Sequence, residues 1–163
     1  MNARAIFAMS AALSLVSSAV AAKLYVRPWL RAKEQDQALV ALVTPHMFLR
    51  FIGLSFLVVG VVAPSLPTSF AIPAAYGDLV AGILAVIAVV ALSHRARWAR
   101  GAVWVFNVWG AADLLFAFYQ GPHVRLHPEA LGAAFYIPTA IVPALLVTHF
   151  LVFQILFRKM ETE

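Results

Sequence analysis

The chain has 163 residues, the length of one domain, and 63% of them are hydrophobic; the mean hydropathy of +0.89 lies far above the range of a soluble domain. Twelve Lys and Arg against seven Asp and Glu give a formal charge of +5. The cations stand in short clusters beside apolar runs, where they act as topology signals and headgroup contacts rather than as a nucleic-acid surface. The absence of Cys excludes disulfides, thiolate metal sites, iron–sulfur clusters and thiol catalysis.

Hydrocarbon about 30 Å thick needs roughly 20 apolar residues per helix. Five stretches meet or approach that length: residues 5–22, 46–63, 74–93, 102–120 and 137–157. The expected fold is therefore an all-α polytopic bundle of about five transmembrane helices in a single membrane domain.

In the first span, Ala19-Val20-Ala21 has the look of a signal-peptidase site. Cleavage would leave the basic stretch from Ala22 to Lys33 outside, against the charge pattern of the other loops, so an uncleaved first helix is expected. Residues 23–45 read as a cytoplasmic connector. Within it, Trp29 to Thr44 fits either a short interfacial helix, with Leu39, Val40 and Val43 on its apolar side, or a solvated link.

The second span opens with His46 and Arg50 one turn apart, followed by Gly53, Leu57 and Gly60 on the same side. Arg50 is expected to snorkel to the cytoplasmic headgroups; the sharper alternative is an inward turn towards a carboxylate, with water bridging to Asp113. Pro64, Pro67 and Pro73 then separate spans two and three. The third span carries Asp78 near its start among Gly77, Ala81, Gly82, Ala85 and Ala88, a spacing of small residues that lets helices approach closely. Asp78 is expected to cap the first turn, where the helix dipole favours an acid, while facing a neighbouring helix.

In the fourth span Asn107, Gly110, Asp113 and Ala117 recur every three or four positions and share one small, polar face. Asp113 lies roughly 16 to 18 Å from the inner end of that helix at 1.5 Å per residue. Gly121, Pro122 and Pro128 separate it from the fifth span, which contains Pro138, Pro143, Thr148, His149 and Gln154. Pro143 should free a carbonyl. His149, roughly 12 Å from the inner end, comes within reach of Asp113 or Asn107.

Positive charge sets the direction. With Lys23, Arg27, Arg31, Lys33, Arg95, Arg97, Arg100, Arg158 and Lys159 inside, only Arg4 and Arg125 are left outside. The N-terminus then faces out and the C-terminus in, as expected of a multi-pass protein of a cell's inner membrane. Trp29, Trp98 and Trp104 fall near the inner interface and Tyr76, Tyr119 and Tyr136 near the outer one.

Several chemistries find little support. A bis-histidine haem requires matched depths, whereas His46 reads as interfacial and His149 as well inside. His123 and His127 with Glu129 supply too few ligands for a metal, and no nucleophilic triad, phosphate loop or HExxH motif is present. No catalytic residue, metal or cofactor is assigned. The ligand- or proton-binding candidates are Asp78, Asn107, Asp113 and His149, with His46 and Arg50 secondary.

The segment from Leu66 to Asp78, LPTSFAIPAAYGD, resembles an LPxxFAxPAxxGD pattern of small, uncharacterised multi-pass bacterial membrane proteins, as do Asp113, Ile137-Pro138-Thr139, Val142-Pro143 and His149 further on. The resemblance covers roughly Thr44 to Phe157. It implies a shared multi-helix membrane fold and draws attention to Asp78, Asp113 and His149, without implying an activity.

Two functions are open on these grounds. One is an accessory or scaffold bundle, working through a homo-oligomer or a membrane-protein partner, in which the polar seam is structural. The other is binding or transport of a small solute, ion or proton in a cavity around Asp113 and His149. The first is slightly favoured, since nothing in the sequence requires transport.

Overall fold

The computed structural model describes residues 2–160, apart from the side chains of residues 159 and 160, so Lys159 among the expected cytoplasmic cations lies outside the described residues. Five helices are long and apolar enough to cross a membrane: α1 (Ala3–Arg31), α2 (Gln35–Leu57), α3 (Thr68–Ser93), α4 (Ala99–His123) and α5 (Ile137–Arg158). They run alternately up and down. A short 3-10 segment, Pro128–Phe135, precedes α5.

Helix α1 starts on Asn2, whose side-chain oxygen accepts a hydrogen bond from the Ala5 amide at 2.8 Å. It continues well past the expected end of the first span because a π-turn at Ala22–Val26 precedes Pro28. Proline lacks an N–H and its ring crowds the carbonyl four residues back, and the wider π-turn absorbs both defects without breaking the helix. The same device recurs at Ile137–Ile141, ahead of Pro143.

The expected connector 23–45 is therefore mostly helix, and α2 begins at Gln35 rather than at His46. Ala38, Leu39, Leu42 and Val43 are buried in the bundle instead of lying along an interface. From Arg50 to Leu57 the helix tightens to a 3-10 pitch. Three residues per turn bring Arg50, Gly53 and Phe56 onto one buried side. Leu57 is exposed and Gly60 lies beyond the helix in a turn with φ +89°, so neither shares that side.

After α2, the loop from Val58 to Pro67 and the 3-10 segment hold each other. The Ala63 amide donates to the Ala130 carbonyl at 3.0 Å and the Ala133 amide to the Val61 carbonyl at 2.9 Å. Gly132 sits at the crossing with φ +52°. A Cβ there would meet the Val61 carbonyl as well as a strained backbone.

Helix α3 begins at Thr68, so Pro73 lies inside it rather than marking its boundary. The Ser69 carbonyl, left free because Pro73 has no N–H, accepts a hydrogen bond from Gln120 Nε2 of α4 at 2.5 Å. Small residues Ala74, Ala75, Asp78, Ala81, Gly82, Ala85 and Ala88 form the buried side of α3, which packs closely on α2 and α4.

Two apolar cores result. One, built on Leu39, Val43, Val103, Phe106 and Val152, lies towards the end of the bundle that carries Arg31, Arg95 and Arg158, here termed the basic end. The other, built on Phe56, Phe70, Leu114, Leu131 and Leu145, lies towards the opposite end.

The Gln120 bond generates a test by double-mutant cycle. Gln120→Ala should cost about 0.5–1.5 kcal/mol in thermal unfolding of the detergent-solubilised protein. In a Pro73→Ala background the residue-73 amide takes the Ser69 carbonyl itself, and the cost of Gln120→Ala should shrink towards zero.

Candidate functional site

Between the two cores lies a cluster of polar side chains drawn from four helices. Its centre is Arg50, with no solvent-exposed surface. The tightened last turns of α2 aim its guanidinium across α3 towards α4 and α5. Arg50 Nη1 donates to Asp78 Oδ1 of α3 at 2.6 Å and to Asp113 Oδ2 of α4 at 3.0 Å. Arg50 Nη2 donates to the Gly110 carbonyl of α4 at 2.6 Å and to His149 Nε2 of α5 at 2.9 Å. The planar fork of a guanidinium can reach four acceptors in this way, where an ammonium could not hold the same set in a fixed plane.

Three expectations are corrected here. Arg50 does not snorkel, because α2 starts earlier in the chain and a helix begun at Gln35 carries Arg50 roughly 22 Å along its axis, beyond reach of the headgroups at that end. Nor is water needed between Arg50 and Asp113. Asp78 is also not an N-cap: with the helix starting at Thr68, it stands more than two turns inside α3 as a direct partner of Arg50.

The hydrogen bonds define both histidine tautomers. Arginine has no acceptor, so His149 Nε2 presents its lone pair to Arg50 and Nδ1 carries the proton, donating to Asn107 Oδ1 at 2.7 Å. Asn107 Nδ2 returns a bond to the His149 carbonyl at 3.2 Å. The expected contact of His149 with Asn107 is thus present, while His149 meets Asp113 only through Arg50. Thr148 Oγ1 gives its proton to the Leu145 carbonyl at 2.8 Å, and so it accepts from His46 Nε2 at 2.8 Å. His46 Nδ1 is left with a buried lone pair and, among the described residues, no partner.

His46 is not interfacial. It is fully buried, with its ring centroid 4.5 Å from that of His149. The depth mismatch expected between these histidines is therefore wrong, but the rings are already in contact with each other and with Phe106, leaving no space for a porphyrin between them.

Four of these groups, Arg50, Asp78, Asp113 and His149, are backed by a glycine of another helix. A Cβ on Gly53 would collide with the Asp78 carboxylate, one on Gly77 with the Asp113 carboxylate, and one on Gly110 with His149 and the Arg50 guanidinium. The small-residue face expected on α4 is the face that meets the cluster, with Asn107 and Gly110 buried and Asp113 at the margin.

On the side away from the basic end the cluster borders a cavity of about 550 Å³. Its walls are largely apolar, among them Phe7 of α1, Phe56 of α2, Phe70 of α3, Phe118 of α4 and Val142 of α5. Asp78 and Asp113 supply the acidic part of its lining; Arg4 and Arg125 supply the basic part. Each carboxylate gives one oxygen to Arg50, and the other accepts no hydrogen bond from the described residues. Two carboxylates share one guanidinium, so the cavity can take a cation or a hydrogen-bond donor at that floor. Phe7, Phe56 and the parts played by Arg4 and Thr148 escape sequence reasoning, whereas the inward turn of Arg50 towards a carboxylate is the sharper of the two readings the sequence allows. The available signal was the acid-bearing stretch Glu34-Gln35-Asp36, which marks a helix start and would have placed His46 and Arg50 at the right depth.

Removing Arg50 while its acids remain should be the most damaging change in the protein. Arg50→Gln is expected to cost about 3–5 kcal/mol, read as loss of folded protein in size-exclusion chromatography or a large fall in melting temperature. Gly110→Ala should also destabilise, because neither the His149 ring nor the guanidinium can retreat without breaking its other bonds.

No curated protein and no solved structure matches the chain. The family model described as a domain of unknown function, DUF8737, matches residues 6–157, a span that enters all five helices and includes every member of the Arg50 cluster, and the chain belongs to that family.

Proposed function

We propose that the protein is a multi-pass inner-membrane protein, N-terminus out and C-terminus in, that binds a small amphiphile from the bilayer with a cationic or hydrogen-bond-donating head against Asp78 and Asp113. The observation that carries this reading is the pair of acidic side chains, Asp78 and Asp113, sharing one guanidinium in the lining of a largely apolar cavity of about 550 Å³.

The cavity walls favour a molecule that is mostly hydrocarbon. Helix α1 packs on α5 and the 3-10 segment but has little contact with α4, so the cavity wall is thin on that side and a lipid-soluble ligand has a lateral route in. The opposite direction is sealed. Leu39, Val43, Val103 and Val152, all without exposed surface, lie one or two turns towards the basic end from His46, Asn107 and His149. Binding is favoured over conduction on this ground, since a path through the bundle would have to part that layer.

The outward orientation of the cavity rests on the excess of Lys and Arg at the basic end. Because Arg4 and Phe7 contribute to the cavity and Ser14 Oγ donates to the Ala140 carbonyl at 3.2 Å, an uncleaved first helix belongs to the same reading. The intact mass of the membrane-extracted protein should include residues 1–21.

A matched series of dodecylamine, dodecanol and dodecanoate tests the ligand chemistry by thermal stabilisation of the solubilised protein. Dodecylamine should raise the melting temperature, dodecanol less and dodecanoate not at all. Asp113→Asn should remove most of the amine effect, at least about tenfold in apparent affinity, while the unliganded protein stays folded. Equal responses to all three head groups would defeat this reading and return the polar seam to a scaffold role, and an Asp113→Asn protein that merely melts earlier would do the same.

A further inference from the structure

A second concavity, of about 300 Å³, lies at the basic end between the end of α1, the start of α2 and the end of α5. Four cations converge on it: Arg27, Arg31, Lys33 and Arg158. No acid lines it. Asp36 is nearby in sequence but is held by Arg100, which donates to it at 3.1 Å, and Glu34 is exposed and outside the lining.

The basic wall is built rather than scattered. Arg27 Nη2 donates to Gln154 Oε1 at 3.0 Å, Gln35 Nε2 donates to the Ile155 carbonyl at 3.0 Å, and Lys33 Nζ lies 4.3 Å from the centre of the Trp29 ring. Arg31 and Arg158 make no hydrogen bond to the described residues. Beneath them the lining turns apolar, through Leu30, Leu151 and Ile155. A topology signal needs cations only near the end of a span. It does not need four of them, from two helices and the linker between α1 and α2, gathered over one apolar floor.

We propose that this concavity binds the phosphate of an anionic phospholipid, with Arg31 and Arg158 as its principal donors, Arg27 and Lys33 at its sides, and the glycerol and first acyl carbons against Leu30, Leu151 and Ile155. The site is separate from the Asp78–Asp113 cavity and does not depend on what that cavity binds. Basic pockets between transmembrane helices are suited to such headgroups because desolvated phosphate oxygens need several donors at once and the acyl chains remain in the bilayer.

The test uses the full chain in neutral detergent and native mass spectrometry with phosphatidylglycerol and phosphatidylcholine of identical acyl chains. Wild type should retain one phosphatidylglycerol with a preference of at least about tenfold over phosphatidylcholine. Arg31→Gln with Arg158→Gln, which removes no bond among the described residues, should reduce the preference to about twofold or less. Arg95→Gln with Arg97→Gln, which removes the same charge from the loop between α3 and α4, should leave it intact. Absence of a preference in wild type, or its equal loss in both double variants, overturns the site. If millimolar inorganic phosphate displaces the lipid and stabilises the protein as much as phosphatidylglycerol does, the site recognises free phosphate and the lipid assignment fails.

Discussion

A guanidinium with no exposed surface must find its partners inside the protein, and in this bundle that requirement dictates where four helices go. Arg50 leaves α2 and meets Asp78 of α3, Asp113 and the Gly110 carbonyl of α4, and His149 of α5. In a medium without water the alternative to each bond is an unsatisfied charge or dipole, costing several kcal/mol. Lipid offers helices little hydrophobic reason to associate with one another, so a shared cation gives α2, α3, α4 and α5 a specific reason to adopt one arrangement.

The close approach that this arrangement needs comes from absent side chains. Gly53, Gly77 and Gly110 sit opposite Asp78, Asp113 and the Arg50–His149 contact. The apolar cores on either side then separate two environments: a closed layer of Leu39, Val43, Val103 and Val152 towards the basic end, and an acid-floored cavity towards the other. A cluster that only joined helices could sit anywhere along the bundle; this one lies at the boundary between packed core and open space.

Much of the architecture is legible in the sequence. Five apolar stretches correspond to five long helices, and the period of Asn107, Gly110 and Asp113 places them on the face that meets the cluster. The bond between His149 and Asn107 follows from matching their depths. The depths of His46 and Arg50 were not legible, because charged residues at 31–36 look like the end of structure when they are in fact the short break and first turn between two helices that project beyond their apolar centres. Pro73 misled in the same way. It stands early enough in α3 that a neighbouring side chain can satisfy the one carbonyl it frees. The tightening of α2 to a 3-10 pitch leaves no periodic mark in eight residues, and it is what moves Gly53 and Phe56, rather than Leu57, to the side of Arg50.

The π-turn at the start of α5 has a bearing on how related chains should be compared. Such a turn amounts to one residue inserted into an α-helix, and it rotates everything beyond it by about 100°. Thr148 and His149 lie beyond Ile137–Ile141, so the direction in which they face is set by that single extra residue. A homologue shorter by one position there would keep the same number of spans and the same hydropathy profile while turning its histidine towards lipid. Presence of the histidine in an aligned column is therefore weaker evidence of a conserved cluster than the histidine together with the spacing that precedes it.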